Sequence, residues 1–179
     1  NNVRFYKSDM SGKCDSLHSN NKTQLTKMIG KPILWNNENQ MTGDVMHLIG
    51  NNKTQKLDSL KVLNNAFIIQ KDSLSKNGYN QIKGQNLYGK FVDSKLKEVD
   101  VVKNAEVIYY MYNDANEFIG INKTVCSKIN LELEENKINS ITFFTKTDSF
   151  IYPEKDFPEN ARKLRGFLWR GDERILSKD

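Results

Sequence analysis

Two histidines, His18 and His47, and two cysteines, Cys14 and Cys126, are the side chains of this 179-residue chain best suited to acid–base, nucleophilic or metal chemistry. His18 falls beside a predicted turn and His47 on the polar face of a predicted strand. Neither has a Ser, Cys or carboxylate placed to complete an acid–base or nucleophilic constellation. The cysteines lack metal-ligand spacing, and two of them do not declare a redox compartment. Two buried thiols are favoured over a disulfide, because free cysteine is among the most buried residue types. Glu132, Glu134 and Glu135 offer oxygens to Ca²⁺ without the loop pattern of a dedicated site. There is no Gly-rich phosphate loop and no CxxC. The expectation is a non-enzymatic protein with no cofactor and no metal.

Charge points the same way. The net charge is +5, but Lys and acidic residues are interspersed, and only Arg162-Lys163-Leu164-Arg165 with Arg170 forms a local basic cluster. Nucleic-acid binders gather basic residues on one face or in one run, so no nucleic-acid partner is expected. Mild basicity suits solubility first and an anionic partner second. Apolar residues make up 37%, the thin core of a two-layer sheet structure. No run approaches the ~18 apolar residues of a membrane span. The Asn-Asn start, with no initiating Met or signal peptide, reads as a mature form or an excised piece.

The elements that position these residues follow from repeats. The pentapeptide NNKTQ occurs at 20–24 and 51–55, and a chance echo, a glycosylation sequon and a repeated turn all fit it. Three segments align: 42–68, 83–109 and 126–152, with a weaker copy at 11–35. Each carries an alternating run, a polar turn, a second alternating run and an "NA"-like step. The turns centre on Asn51-Asn52-Lys53, Asp93-Ser94-Lys95 and Glu135-Asn136-Lys137. NNKTQ is therefore read as a hairpin turn. The sequons at Asn21, Asn52 and Asn122 are read as turn chemistry in an Asn-rich chain, and Asp-Ser-Leu at 15–17, 58–60 and 72–74 as strand-edge polarity.

The period inside the segments is two, which means strands with one wet and one dry face. Met46 and Leu48, then Leu60 and Val62, alternate with polar neighbours in the first copy. Leu87 and Phe91, then Val99 and Val101, do so in the second, and Ile129, Leu131 and Leu133, then Ile141 and Phe143, in the third. Gly89 would leave room on that face. Nothing else in the chain looks large enough to cover these dry faces, so two sheets could cover each other or leave a slit between them. Helix is expected only near the end, where Pro158 and Glu159 open a segment with Leu164, Phe167 and Leu168 on one face. One or two turns are expected there, capping the end of the stack. The expected division is a sheet domain over 1–152 and a C-terminal tail with a short helix over 153–179.

The segments 41–68 and 82–110, with "GKPILWNNENQMTGD" (30–44), 120–153 and "KLRGFLWR" (163–170), resemble the OstA-like (organic solvent tolerance) family, and the likeness covers nearly all of 3–170. That family includes the LptA-type lipopolysaccharide-transport proteins, and the last three segments look most like its larger Bacteroidetes-type members. The resemblance implies an all-β, twisted β-jellyroll, a slit-like sandwich of stacked hairpins, in the periplasm or on the periplasmic face of the outer membrane. It implies that the thirteen alternating residues named above line a groove for the acyl chains of lipopolysaccharide or lipid A. It also implies pairing with other Lpt-type jellyrolls through edge strands. A second expectation is a purely structural β-sandwich that recruits proteins through its edges. A jelly-roll lectin or hydrolase would need an aromatic platform or paired carboxylates, which the sequence does not display.

Overall fold

A computed structural model describes residues 2–7, 10–145 and 147–176. Thirteen antiparallel strands form one continuous hydrogen-bonded sheet. They are β1 (Val3–Lys7), β2 (Met10–Cys14), β3 (Ser16–Asn20), β4 (Leu25–Ile29), β5 (Ile33–Asn36), β6 (Asn39–Thr42), β7 (Val45–Gly50), β8 (Leu57–Lys71), β9 (Tyr79–Val92), β10 (Lys95–Tyr112), β11 (Phe118–Glu134), β12 (Lys137–Phe144) and β13 (Asp148–Tyr152).

The sheet folds over on itself. Residues 57–63 of β8 pair with β7, whereas 67–70 pair with β6. In β11, 128–134 pair with β12 and 121–125 with β13. Each long strand thus belongs to two layers. The front layer runs β3-β4-β7 and then through the first part of β8, the second of β9, the first of β10 and the second of β11 to β12. The back layer runs β1-β2-β5-β6 and then through the complementary parts of β8 to β11, ending at β13. The architecture is a twisted β-jellyroll.

The "NA" steps of the repeats are the corners of this fold. The register slips between Leu63 and Ala66 in β8 and between Val102 and Ala105 in β10. The residues in between, Asn64, Asn65, Lys103 and Asn104, all have left-handed backbones, with φ of +49° to +64°. Asn tolerates this region better than most side chains, and a bulge there bends the strand. Gly84 of β9 lies on the same corner line, where a Cβ would come 2.6 Å from Val101 Cγ1 and 3.2 Å from the Val102 carbonyl oxygen. In the 11–35 copy the corners break the chain outright, at Asp15 and at Gly30-Lys31, and the Asp15 N–H donates to the Gly30 carbonyl at 2.9 Å.

Both NNKTQ copies close the same turn. Asn20 Oδ1 accepts from the N–H groups of Lys22 and Thr23, and Asn51 Oδ1 from those of Lys53 and Thr54. Gln24 and Gln55, at φ of +52° and +58°, each donate a side-chain amide hydrogen to the carbonyl three residues back. The two turns are neighbours, with the Gly50 N–H on the Gln24 carbonyl at 2.9 Å. The later hairpins turn through Asp93-Ser94 and Glu135-Asn136, paired positive-φ residues of the kind two-residue hairpins need. Lys56 with Asp93 and Lys95 with Glu135 tie successive turns together by ion pairs of 2.9 and 2.6 Å. The third sequon departs from the turn reading, since Asn122-Lys123-Thr124 lies inside β11.

The tail also departs from expectation. In place of an α-helix it holds three separate 3₁₀ turns, Glu154–Asp156, Glu159–Ala161 and Gly171–Glu173. Gly166, at φ of +94°, breaks the helical pattern. The tail does not cap the end of the stack but lies across the outer face of the back layer. Phe157 and Leu164 are buried there against Phe67, Ile69, Ile108, Tyr110 and Ile121. Phe167 and Trp169 join them around Tyr79, whereas Leu168 points to solvent. Two buried glutamines hold the tail backbone. Gln81 donates to the Arg162 carbonyl at 2.7 Å and accepts from the Leu164 N–H at 2.8 Å. Gln40 does the same to the Leu168 carbonyl and the Arg170 N–H, at 2.8 and 2.7 Å.

Candidate functional site

The dry face predicted from the alternation is the inner face of the front layer. Leu17, Met28, Met46, Val62, Leu87, Val101, Ile129 and Phe143 form one cross-strand row across it. The matching outer row is polar: Lys27, His47, Lys61, Tyr88, Asp100, Asn130 and Thr142. Met46, Leu48, Leu60, Val62, Leu87, Phe91, Val99, Val101, Ile129, Leu131 and Leu133 are all buried in a single cluster. Ile141 and Phe143, on the last front strand, are half-buried against it.

Something does cover this face. The back layer contributes Met10, Leu34, Met41, Ile68, Ile82 and Val107 to the same cluster. The space expected beside Gly89 is occupied too, because Leu96, 2% exposed, sits with its Cδ1 3.1 Å from where a Cβ would be. None of these back-layer residues is visible as an alternating dry face, because the tail buries the other side of their strands. In β8 the run Ala66-Phe67-Ile68-Ile69 sends Ala66 and Ile68 inward and Phe67 and Ile69 toward the tail. A strand buried on both faces loses its period-two signature. The outward glutamines Gln40 and Gln81 carried no signal either, as their partners are main-chain groups more than eighty residues away.

The layers meet along the corner line and lie apart at the opposite edge, where the hairpin turns are. Asn39 Nδ2 reaches across that open edge to the Asn136 carbonyl at 2.9 Å. On one side of this contact is an apolar mouth of about 310 Å³, lined by Phe5, Met10, Leu17, Leu48 and Leu57 with Lys7 and Lys56 at its rim. All five apolar residues belong to or pack on the main cluster, so the mouth continues the interior. On the other side is a polar cavity of about 1030 Å³ bounded by Gln70, Asp72, Asn80, Tyr109, Tyr112 and Lys137. The inner face of the back layer turns polar toward this end. Thr124 Oγ1 lies 2.8 Å from Asn122 Oδ1 and from Ser149 Oγ, and Asn122 Nδ2 donates to Ser149 Oγ at 2.9 Å.

The chemistry-bearing residues of the sequence are scattered. His47 sits on the outer front face, where burial, then Lys27 and Lys61, lower its pKa and leave it neutral. Both cysteines are free and buried at equivalent corners, each thiol on the carbonyl two residues ahead, Ser16 and Lys128. Burial raises both thiol pKa values. Glu132 accepts from Ser140 and Glu135 from Lys95. Among the described residues no three His, Cys, Asp or Glu side chains gather as a metal cluster. Within the C-terminal basic cluster Arg162 pairs with Glu154 and Glu159, Arg170 pairs with Glu173, and Lys163 lies over the Phe167 ring. On the outer front face, hydrogen bonds from Lys90, then Asn130, hold the Glu98 carboxyl below its usual range. Among the described residues no helix is long and apolar enough to cross a membrane.

No family model matches the sequence, and no curated protein matches it at a significant level. The structure is similar to that of LptH, described as the LptA-homologous periplasmic component of the conserved lipopolysaccharide transport device from Pseudomonas aeruginosa. The TM-score is 0.59 at 16% sequence identity, over 82% of this chain and 100% of the LptH chain. At that identity the likeness shows the fold.

Proposed function

We propose that this chain is a non-enzymatic lipopolysaccharide-binding and transport module of the cell envelope, a bridge or scaffold that holds acyl chains between the two layers of its jellyroll. The observation that carries it is the apolar interior built by both layers and opening at an apolar mouth flanked by lysines. The long strands β8 to β11 run from one layer into the other through the corners, and the inner faces of the layers meet through apolar contact, which is non-directional. An acyl chain can replace one inner face against the other when the layers part. Burying a methylene stabilises by about 0.8 kcal/mol, so a chain of ~12 carbons supplies roughly 8–10 kcal/mol before the costs of parting and ordering. An exposed lysine at the open edge against a lipid phosphate adds ~1 kcal/mol.

In this reading the thirteen alternating residues line the lipid path, and residues 1–152 form the binding unit with the tail as its outer cover. The chain works in the periplasm or at the periplasmic face of the outer membrane. The terminal strands β12 and β13 leave main-chain groups open for strand addition by other Lpt-type jellyrolls. The finer placement, among Bacteroidetes-type OstA-like proteins, rests on the sequence segments quoted above.

The near-complete burial of eleven of the thirteen residues favours a second reading, a closed sandwich that serves as a structural module recruiting protein at its edges. Photocrosslinking amino acids placed at Leu57, Leu87 and Leu131, with outward Lys61 and Glu98 as controls, separate the two. The lipid reading predicts crosslinks to lipopolysaccharide from the first three. Crosslinks from Lys61 and Glu98 alone would overturn it, and none at any site would favour the structural module.

A further inference from the structure

The polar cavity at the open edge has a chemistry the acyl path does not need. Its wall is the loop between β8 and β9, which is fixed from inside. The Asp72 N–H donates to the Gly78 carbonyl at 2.9 Å. The Asp72 carboxylate, in a residue only 8% exposed, accepts from the Ser75 N–H and the Tyr112 hydroxyl. Next to it Asn80, also buried, accepts from the Tyr110 N–H at 2.9 Å and donates to Gln70 Oε1 at 3.3 Å. These bonds fix the cavity before any ligand arrives.

It presents amides, phenol rings and cations beside the apolar side chains of Leu74, Met111 and Ile138. Lys71, Lys76 and Lys137 are exposed, and none of them forms an ion pair with a described residue. The acidic groups of the lining are Glu38 and Asp72, and the Asp72 carboxylate is already engaged inward. An alkyl chain here would strip water from polar groups without replacing their hydrogen bonds. A sugar would not, since its hydroxyls match amide donors and acceptors and its C–H face matches an aromatic ring. Tyr109 and Ile138 line this cavity and also pack on the main apolar cluster, so the cavity is contiguous with the interior.

We propose that this cavity binds a phosphorylated saccharide, with the sugar against Tyr109 and the Gln70 and Asn80 side chains and the phosphate among Lys71, Lys76 and Lys137. This deepens the lipopolysaccharide reading. The headgroup of a lipid lies at the polar cavity, while its chains run between the layers toward the apolar mouth. A free sugar phosphate carries the same recognition chemistry.

The test is a titration of the full chain, followed by amide chemical shifts, with an acyl-free glucosamine disaccharide bearing two phosphates. Saturable shifts at Asn80, Tyr109 and Lys137 are expected. The triple variant Lys71→Gln, Lys76→Gln, Lys137→Gln, confined to exposed side chains, should bind about tenfold more weakly, the effect of three solvent-screened charge contacts. The unphosphorylated disaccharide and inorganic phosphate should each bind more weakly than the intact probe. Absence of saturable shifts, unchanged affinity in the triple variant, or equal binding of inorganic phosphate would overturn the site. The acylated form of the same disaccharide distinguishes the sources, because a lipid ligand adds shifts at Leu48 and Leu57 and a free sugar phosphate does not. A fluorescent fatty acid, titrated separately, reports the acyl path alone. Its failure with disaccharide binding intact would count against the lipid reading and leave the saccharide site standing.

Discussion

The two halves of β8 are one strand in two environments. Over 57–63 it shows one face to the interior and one to water, and its residues alternate. Over 66–69 it is buried on both sides, with Ile68 inward and Phe67 and Ile69 under the tail. The corner at Asn64-Asn65 separates them. The same chain thus builds a front layer that needs only its partner layer and a back layer that needs a cover as well. The tail is that cover, so its aromatic residues belong to the fold rather than to a loose end.

Truncation in the back layer should show the largest effect. Ile69→Ala, on its outer face, is expected to cost about 2–4 kcal/mol, whereas Lys61→Ala on the outer front face should stay within about 0.5 kcal/mol. Equal values in urea unfolding would erase the contrast between the layers. Next is the clamp. Gln81→Leu strands the Arg162 carbonyl and the Leu164 N–H and should cost about 1–3 kcal/mol. Hydrogen exchange should then speed at the Leu164 amide, and Gln40→Leu should do the same at Arg170. Unchanged protection at both would mean the glutamines do not hold the tail. At the corner, Asn104→Val should destabilise by about 1–2 kcal/mol through its left-handed backbone, with Asn104→Gly near neutral. A Val variant as stable as the Gly variant would remove the strain from the account.

The smallest effect is with pH. Hydrogen bonds from Arg170, then Lys13, depress the Glu173 carboxyl to about 2, against an ordinary value of 4.5. A depressed carboxyl stabilises the folded form above its ordinary value and loses that contribution as pH falls toward 2. Tail docking should therefore weaken between about pH 4.5 and 2, by little because the pair is partly exposed. Exchange at the Arg170 amide, compared with that in Glu173→Gln, measures it. An identical pH response in the variant would assign the effect elsewhere.

The front layer was legible because water imposes a pattern. His47, Lys61, Asp100 and Asn130 must face out, so Met46, Val62, Val101 and Ile129 face in. The hairpin turns were legible for a local reason, since Asn51, Asp93 and Asn136 act within a few residues of themselves. The inner face of the back layer was hidden because Met41, Ile68 and Ile82 sit in strands where both neighbours are shielded. The spacing of Leu164, Phe167 and Leu168 fits a helical face, yet Gly166 breaks it, and Gln81 and Gln40 take up the main-chain groups on either side of the break. The apolar mouth, which joins Phe5 to Leu57, depends on the fold-over and has no local signature.

The central claim, that lipid lies between the layers, is tested most directly by preventing them from parting. Asn39→Cys with Asn136→Cys places thiols across the open edge, and a short bis-maleimide can join them. The native thiols of Cys14 and Cys126 are buried, with pKa values raised by burial, and should react slowly. Lipopolysaccharide binding measured before and after joining should fall at least about tenfold, a change of about 1.4 kcal/mol. Undiminished binding by the joined protein would contradict the account and place the lipid outside the sandwich.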